Sequence, residues 1–154
     1  MSTNTTYQKI IDLFYPRITS YDFAKYADED TLNEVVSDYL FPALMDVKST
    51  KIDVDLSDRD DTLGEFNFEL SDELIDSIVG YMVVEWMNTN FIYNQQVLES
   101  KLTSTDFRSL NIATILDKVI TARDECLARL DQKCIENSYK KNGIESLINL
   151  VKKR

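Results

Sequence analysis

Apolar positions recur every three or four residues from Leu74 through Ile75, Ile78, Val79, Met82 and Val83 to Trp86. Tyr81, Val84 and Met87 fill much of the other side, so the stretch opening at Ser71 predicts a helix apolar on nearly every face. Such a helix belongs at the centre of a fold, with other helices packed around it. Ser71 is its expected cap, and Asp72 and Glu73 sit favourably at its positive end. Upstream, Tyr7, Ile10, Ile11 and Phe14 form a shorter stripe, with Thr5 or Thr6 as cap and Pro16 as terminator. Residues 17–26 mix aromatic and polar side chains and predict a turn with a helical segment. A second helix is expected from Asp28 or Asp30 through Leu32, Val35, Val36, Tyr39, Leu40, Ala43 and Leu44. Pro42 lies inside that pattern and should kink the helix or start an offset last turn.

Between the second and central helices the period changes to two. Ile52, Val54 and Leu56 alternate with Lys51, Asp53 and Asp55; Phe66, Phe68 and Leu70 alternate with Asn67 and Glu69. The reading is an extended excursion with at most two short strands, either a hairpin with a long loop or an arm lying on the helices. A single helical turn over Asp58 to Leu63, capped by Ser57, is the weakest alternative. After the central helix, Asn88-Thr-Asn90 weakens the pattern, and Phe91 to Leu102 resumes helical spacing through Ile92, Val97 and Leu98. Thr103 to Asp106 reads as loop and cap. A long helix is predicted from about Asp106 to Ser138, with Ile112, Ile115, Leu116, Val119, Ile120, Leu127, Leu130 and Cys134 on one side and a charged back. It should pack, partly exposed, on the central helix. Asn142-Gly143 is a stop signal. The fold class is therefore all-α: four to five helices around a buried central one, with the extended excursion between the second and central helices. A helical domain over 1–142, with an extended arm at about 47–70, is followed by a basic tail over 143–154.

Composition narrows the chemistry. The 154 residues suit one domain, and three Gly and two Pro are too few for a sandwich or barrel. Net charge is −10, which opposes tight binding to nucleic-acid phosphates. Cys126 and Cys134 are eight residues apart, about 12 Å along a helix, too far for a disulfide; two reduced thiols fit a reducing cell interior. The polar N-terminus does not read as a signal peptide, and the most apolar run is interrupted by Asp76 and Glu85, so no membrane span is expected. The chain has no His, which removes Cys–His and Ser–His nucleophile systems and the commonest transition-metal ligand. No Gly-rich phosphate loop is present.

Asp53, Asp55, Asp58, Asp60 and Asp61 form one dense acidic cluster. Counted as a calcium loop from Asp53 or from Asp58, it lacks the Gly at the sixth position. It reads instead as a solvated loop in which Arg59 bridges neighbouring aspartates. Glu85, inside the apolar helix, reads as a hydrogen-bonded or paired carboxylate at a contact between helices or subunits rather than as a catalytic acid.

The order Asp55-Leu-Ser-Asp-Arg-Asp-Asp61, Phe66-Asn-Phe-Glu-Leu70, Tyr81-Met-Val-Val-Glu-Trp-Met87, Thr105-Asp-Phe107 and a long charged helix resembles the neck, or head–tail connector, proteins of tailed bacteriophages infecting Gram-positive bacteria. The resemblance covers about Tyr7 to Tyr139. It implies a structural virion protein without catalysis or cofactor. Such a protein forms a ring, typically a dodecamer, below the portal protein, extends the DNA channel and docks the next neck or tail completion protein. It is assembled in the host cytoplasm and resides in the virion neck. DNA passes through without specific binding, and no membrane is involved. On this basis Ile144, Leu147, Ile148, Val151, Lys152, Lys153 and Arg154 are expected to order on the portal. Ile52, Val54, Leu56, Phe66 and Phe68 are expected to form an arm between subunits. The basic tail departs from the family pattern. Two rivals stand beside this reading: a cytoplasmic acidic module inhibiting a nucleic-acid enzyme by mimicking DNA charge, and a metal-dependent enzyme built on the aspartate cluster.

Overall fold

Thr6 caps the first helix, α1 (Tyr7–Phe14), its Oγ1 accepting from the Lys9 amide at 3.3 Å. Thr5 is used differently: it is buried, and its hydroxyl accepts the Leu70 amide at 2.9 Å. The helix buries Tyr7, Ile10, Ile11 and Phe14 and passes at Pro16 into a single 3-10 turn, Tyr15–Arg17. The computed structural model describes residues 4–18, 33–49, 54–93 and 112–152, without the side chains of 48, 49, 112 and 138–152. The expected caps Asp28 and Asp30, the spacing through Val97 to Leu102 and the loop at Thr103–Asp106 lie outside the described residues.

The second helical stretch runs from residue 33 and holds a wide π-turn, Val36–Leu40, before continuing as α2 (Phe41–Ser49). Pro42 explains the widening. It has no N–H to donate, and its ring would strike the carbonyl four residues back. Bonding Phe41 N–H to Val36 O instead inserts one residue and restarts the helix just ahead of the proline. The sequence predicts a kink or an offset last turn at Pro42; the structure has a π-turn ahead of it and then nine further helical residues.

The excursion is a hairpin, but its strands are not the two alternating runs. Strand β1 (Arg59–Asp60) pairs antiparallel with β2 (Glu65–Phe66), Arg59 opposite Phe66 and Asp60 opposite Glu65. The paired residues on the first side come from the aspartate cluster, in the polar stretch between the two alternating runs. Residues 54–56 lie before the ladder. The turn is closed by Gly64 at φ 67, a conformation that favours a residue without Cβ. The far edge of β2 is not open: Thr5 N–H donates to Phe68 O, Phe66 N–H to Thr5 O, and Tyr7 N–H to Gly64 O. The first residues thus cover the edge through an isolated antiparallel bridge, Thr6 opposite Glu65, a long-range pairing that no local periodicity announces.

The central helix, α3 (Asp72–Met87), is capped by Ser71 Oγ at 3.3 Å from Leu74 N and buries Leu74, Ile75, Ile78, Val79, Tyr81, Met82 and Val84. It ends in a second π-turn, Asn88–Ile92, where Tyr93 N–H reaches Asn88 O at 2.8 Å. Helices α1 and α2 pack on α3, as does the long helix α4 (Ile112–Lys152). Among the described residues the fold is mostly helical, four helices with one two-stranded antiparallel sheet.

The Asn142-Gly143 stop is overturned. The 41-residue α4 runs through it to Lys152. Asn and Gly each cost up to about 1 kcal/mol relative to Ala in a helix, but extending a helix already several turns long needs no new nucleus. The residues from Ile144 on are therefore a continuation of α4 and not a separate tail.

Candidate functional site: a polar seam and an overhanging helix

Along α3 the buried face is interrupted by polar or small residues at Ser77, Gly80, Tyr81, Glu85 and Asn88, a stripe at helical spacing. Helix α4 lies on this stripe. At Gly80 a Cβ would collide with Leu130 Cδ2 and lie 3.2 Å from Cδ1, so glycine there lets the Leu130 side chain seat directly on the α3 backbone. Tyr81 Oη donates to Asp131 at 2.8 Å, and Arg123 Nη1 donates to Asn88 Oδ1 at 3.1 Å. Asn88, only 6 % exposed, in turn donates to Glu85 Oε1 at 3.3 Å. Asp76 binds Lys133 at 3.2 Å and also takes Arg17 from the turn after α1 at 2.5 Å.

These pairs share one register. As α3 advances from Asp76 through Gly80 and Tyr81 to Asn88, its partners retreat from Lys133 through Leu130 and Asp131 to Arg123, so the helices are antiparallel. Extended at that register, the first turn of α3 faces roughly residue 139 of α4. The remaining residues to Lys152 overhang the start of α3 by about 20 Å. Among the described residues, α4 packs chiefly on α3 and its π-turn.

The seam carries uneven electrostatics. Burial, and secondarily the charge of Asp46 on α2, pushes the Glu85 carboxyl above its ordinary range; the Asn88 amide partly offsets this. Burial also raises Asp46, with Asp131 adding to it. The charge of α2's Asp46 thus reaches Glu85 on α3, and that of Asp131 on α4 reaches Asp46. Tyr81 is raised by burial first and by its bond to Asp131 second. Asp76 is held low, first by Arg17 and then by Lys133. Glu85 is accordingly a hydrogen-bonded acid at a helix–helix contact.

The hairpin accounts for its aspartates individually. Asp55 Oδ1 accepts Ser57 N at 3.0 Å, and Asp58 Oδ1 accepts the Asn67 amide at 2.7 Å. Asp60 Oδ1 takes Thr62 N and Leu63 N at 2.9 and 3.0 Å, closing the turn. Asp61 takes Tyr7 Oη at 2.5 Å and Arg59 Nε at 2.9 Å; these bonds, Tyr7 first, hold its carboxyl low, while Tyr7 is raised by burial and then by Asp61. Arg59 does bridge within the cluster, and its guanidinium also sits 4.7 Å over the Phe41 ring. The density of acids is thus explained by turn building. Among the described residues no group of three His, Cys, Asp or Glu is placed to hold a metal.

The arm residues are divided by the structure. Leu56 and Phe66 are in the chain's own core, Phe66 fully enclosed, and Val54 and Phe68 pack half-buried against it. Phe66 meets Tyr7 edge-on at 5.4 Å and Phe68 at 6.0 Å. They do not form a free arm, because pairing with residues 4–7 folds the excursion back onto α1. Ile52 lies outside the described residues. Ile144, Leu147, Ile148, Val151 and Lys152 fall on the α4 backbone, with their side chains outside the description; Lys153 and Arg154 lie outside it altogether.

What sequence reasoning missed is the polarity of charge along the chain. Residues 1–111 hold 21 acidic and 8 basic side chains, whereas 112–154 hold 6 acidic and 9 basic. A running sum of charge shows this directly. Comparison with family models, with curated proteins and with solved structures finds no match for this chain. Among the described residues no helix is long and apolar enough to cross a membrane.

Proposed function

We propose that this protein is a structural, non-catalytic collar subunit: a head–tail connector that assembles as a ring below a portal, extends the DNA channel and presents a docking surface to the next neck protein. The observation that carries the reading is the pairing of a strongly acidic stretch, residues 1–111, with a long continuous helix that runs past the start of α3. An acidic lumen repels the phosphate backbone and leaves DNA free to slide. A rigid helix longer than its internal partner suits contact with another chain. The resemblance over Tyr7 to Tyr139 supplies the biological context, and the turn-building roles of the aspartates fit a scaffold.

The test is to mix the purified protein with the portal protein of the same phage and image the product by negative stain. A ring added to one end of the portal, together with the chain's presence in purified virions, is the expected result. A protein absent from virions and without effect on the portal overturns the reading. The acidic body also fits the rival, a DNA-charge mimic, which the same preparation separates. A mimic competes with DNA for a nucleic-acid enzyme and leaves the portal bare.

A further inference from the structure

We infer that the two π-turns work as one relay, through which the stretch ahead of α2 controls how firmly α4 is seated. The inference goes beyond the collar reading and does not need it. A π-turn carries one residue more than the α-turn it replaces, and such turns are frequent at functional sites. The turn Val36–Leu40 has its cause in Pro42. The turn Asn88–Ile92 has no proline near it, the chain's two being Pro16 and Pro42. Side chains hold it instead. Asn90 Nδ2 donates to Trp86 O at 3.0 Å, within its own helix, and to Tyr39 Oη at 3.3 Å, in the other π-turn. Two residues earlier, Asn88 accepts Arg123 Nη1 at 3.1 Å and gives its own amide to Glu85 Oε1 at 3.3 Å. Residues two apart on a helix point to opposite sides. The turn is therefore gripped by Tyr39 on one side and by α4 on the other.

The grip belongs to the bulged register. Tyr93, seven residues after Trp86, would share its face in a uniform α-helix. Past the extra residue it is turned by about 100° from that face, and it stands 75 % exposed. The bulge thus leaves a large aromatic side chain in water, a cost that the bonds of Asn88 and Asn90 offset. Without the Tyr39 bond the balance moves towards the uniform helix. Asn88 then loses the position from which it holds Arg123. A change at the first π-turn in this way reaches the seat of α4 through the end of α3.

Native-state hydrogen exchange of the full-length protein, read residue by residue by NMR, is the test. Tyr39→Phe removes only the hydroxyl that Asn90 reaches and leaves the ring in place. It should speed exchange of the α4 amides around Arg123, residues 119–127, by about fivefold, the equivalent of one hydrogen bond. A hydroxyl with a merely local role would survive in the state where α4 has opened, and would leave those rates at wild type. Asn90→Ala should act at least as strongly, and adding Tyr39→Phe to it should change α4 no further. Deleting the exposed Thr89 takes out the extra residue and should loosen α4 in the same way; if that chain does not fold, Asn90→Ala carries the test. Unchanged α4 rates in Tyr39→Phe and Asn90→Ala overturn the inference, as do additive effects of the two. Wild-type α4 amides exchanging as slowly as those of α1, with no separate opening, overturn it as well.

Discussion

The two faces of the central helix are built from different materials. Towards α1 and α2 it meets Ile10, Phe14, Leu40, Ala43, Leu44 and Val47, all enclosed, with Phe66 and Leu56 of the excursion completing the same core. Towards α4 it offers the stripe from Ser77 to Asn88, and α4 answers with two buried residues, Leu130 and Cys134, plus Cys126 and Leu127 at the margin. The first face is held by area: a fully buried aliphatic or aromatic side chain contributes roughly 1.5–3 kcal/mol. The second is held by a close approach at one glycine and by specific hydrogen bonds, each contributing about 1 kcal/mol net. The body should therefore be the stable unit and α4 the element that detaches first.

The largest effect should come from Phe66→Ala, which empties a fully enclosed site. A loss of about 3–5 kcal/mol in urea denaturation of the monomer is expected; a loss seen only in assembly would restore Phe66 to an intersubunit role. Gly80→Val forces a side chain into Leu130 and should cost about 1–3 kcal/mol. Leu130→Ala in the same chain should recover part of it, and hydrogen exchange should show the loss in 112–137 rather than in α1. Asp76→Asn removes the clamp joining Arg17, α3 and Lys133. All three groups are well exposed, so less than about 1 kcal/mol is expected, shrinking further in high salt.

The smallest effect is one of sign, and it separates the regions by pH. Asp61 and Asp76 have lowered pKa values. Their stabilisation is present above the ordinary carboxylate range near 4 and is lost as pH falls through their depressed values. Glu85 and Asp46 are raised. The folded state binds their protons more readily than the unfolded chain, so stability rises as pH falls from neutral through their raised values, and the gain is complete below the ordinary range. Glu85→Gln should raise neutral-pH stability slightly and flatten the slope on the acid side of neutrality. A slope unchanged by that substitution would show that Glu85 does not sense the seam.

The central helix was legible from its residues because burial on all sides leaves a plain apolar run and Ser71-Asp-Glu is a local cap. A disturbance at Pro42 was legible because proline's restriction acts within four residues, but its form, a π-turn with the helix continuing beyond it, was not. The hairpin was half legible. Alternation identified extended chain, but the ladder moved to Arg59–Asp60 and Glu65–Phe66 because Asp60 and Gly64 fix the turn and Thr5 covers the outer edge. Neither signal is a matter of hydrophobic period. The continuation of α4 past Gly143 was misread because a local stop residue was weighed without the length of helix already formed. The Gly80–Leu130 contact was not legible at all: a glycine in a helix announces a close approach without naming the partner.

Trp86, the chain's only tryptophan, stands two residues before Asn88 at the end of the seam, with Phe91 edge-on at 5.1 Å. Its indole N–H is buried and meets no hydrogen-bond acceptor among the described residues. That places a single native fluorophore, primed to shift to the red once water reaches its nitrogen, near the end of the central helix. Opening of the last turns of the central helix can thus be timed by emission in unlabelled protein.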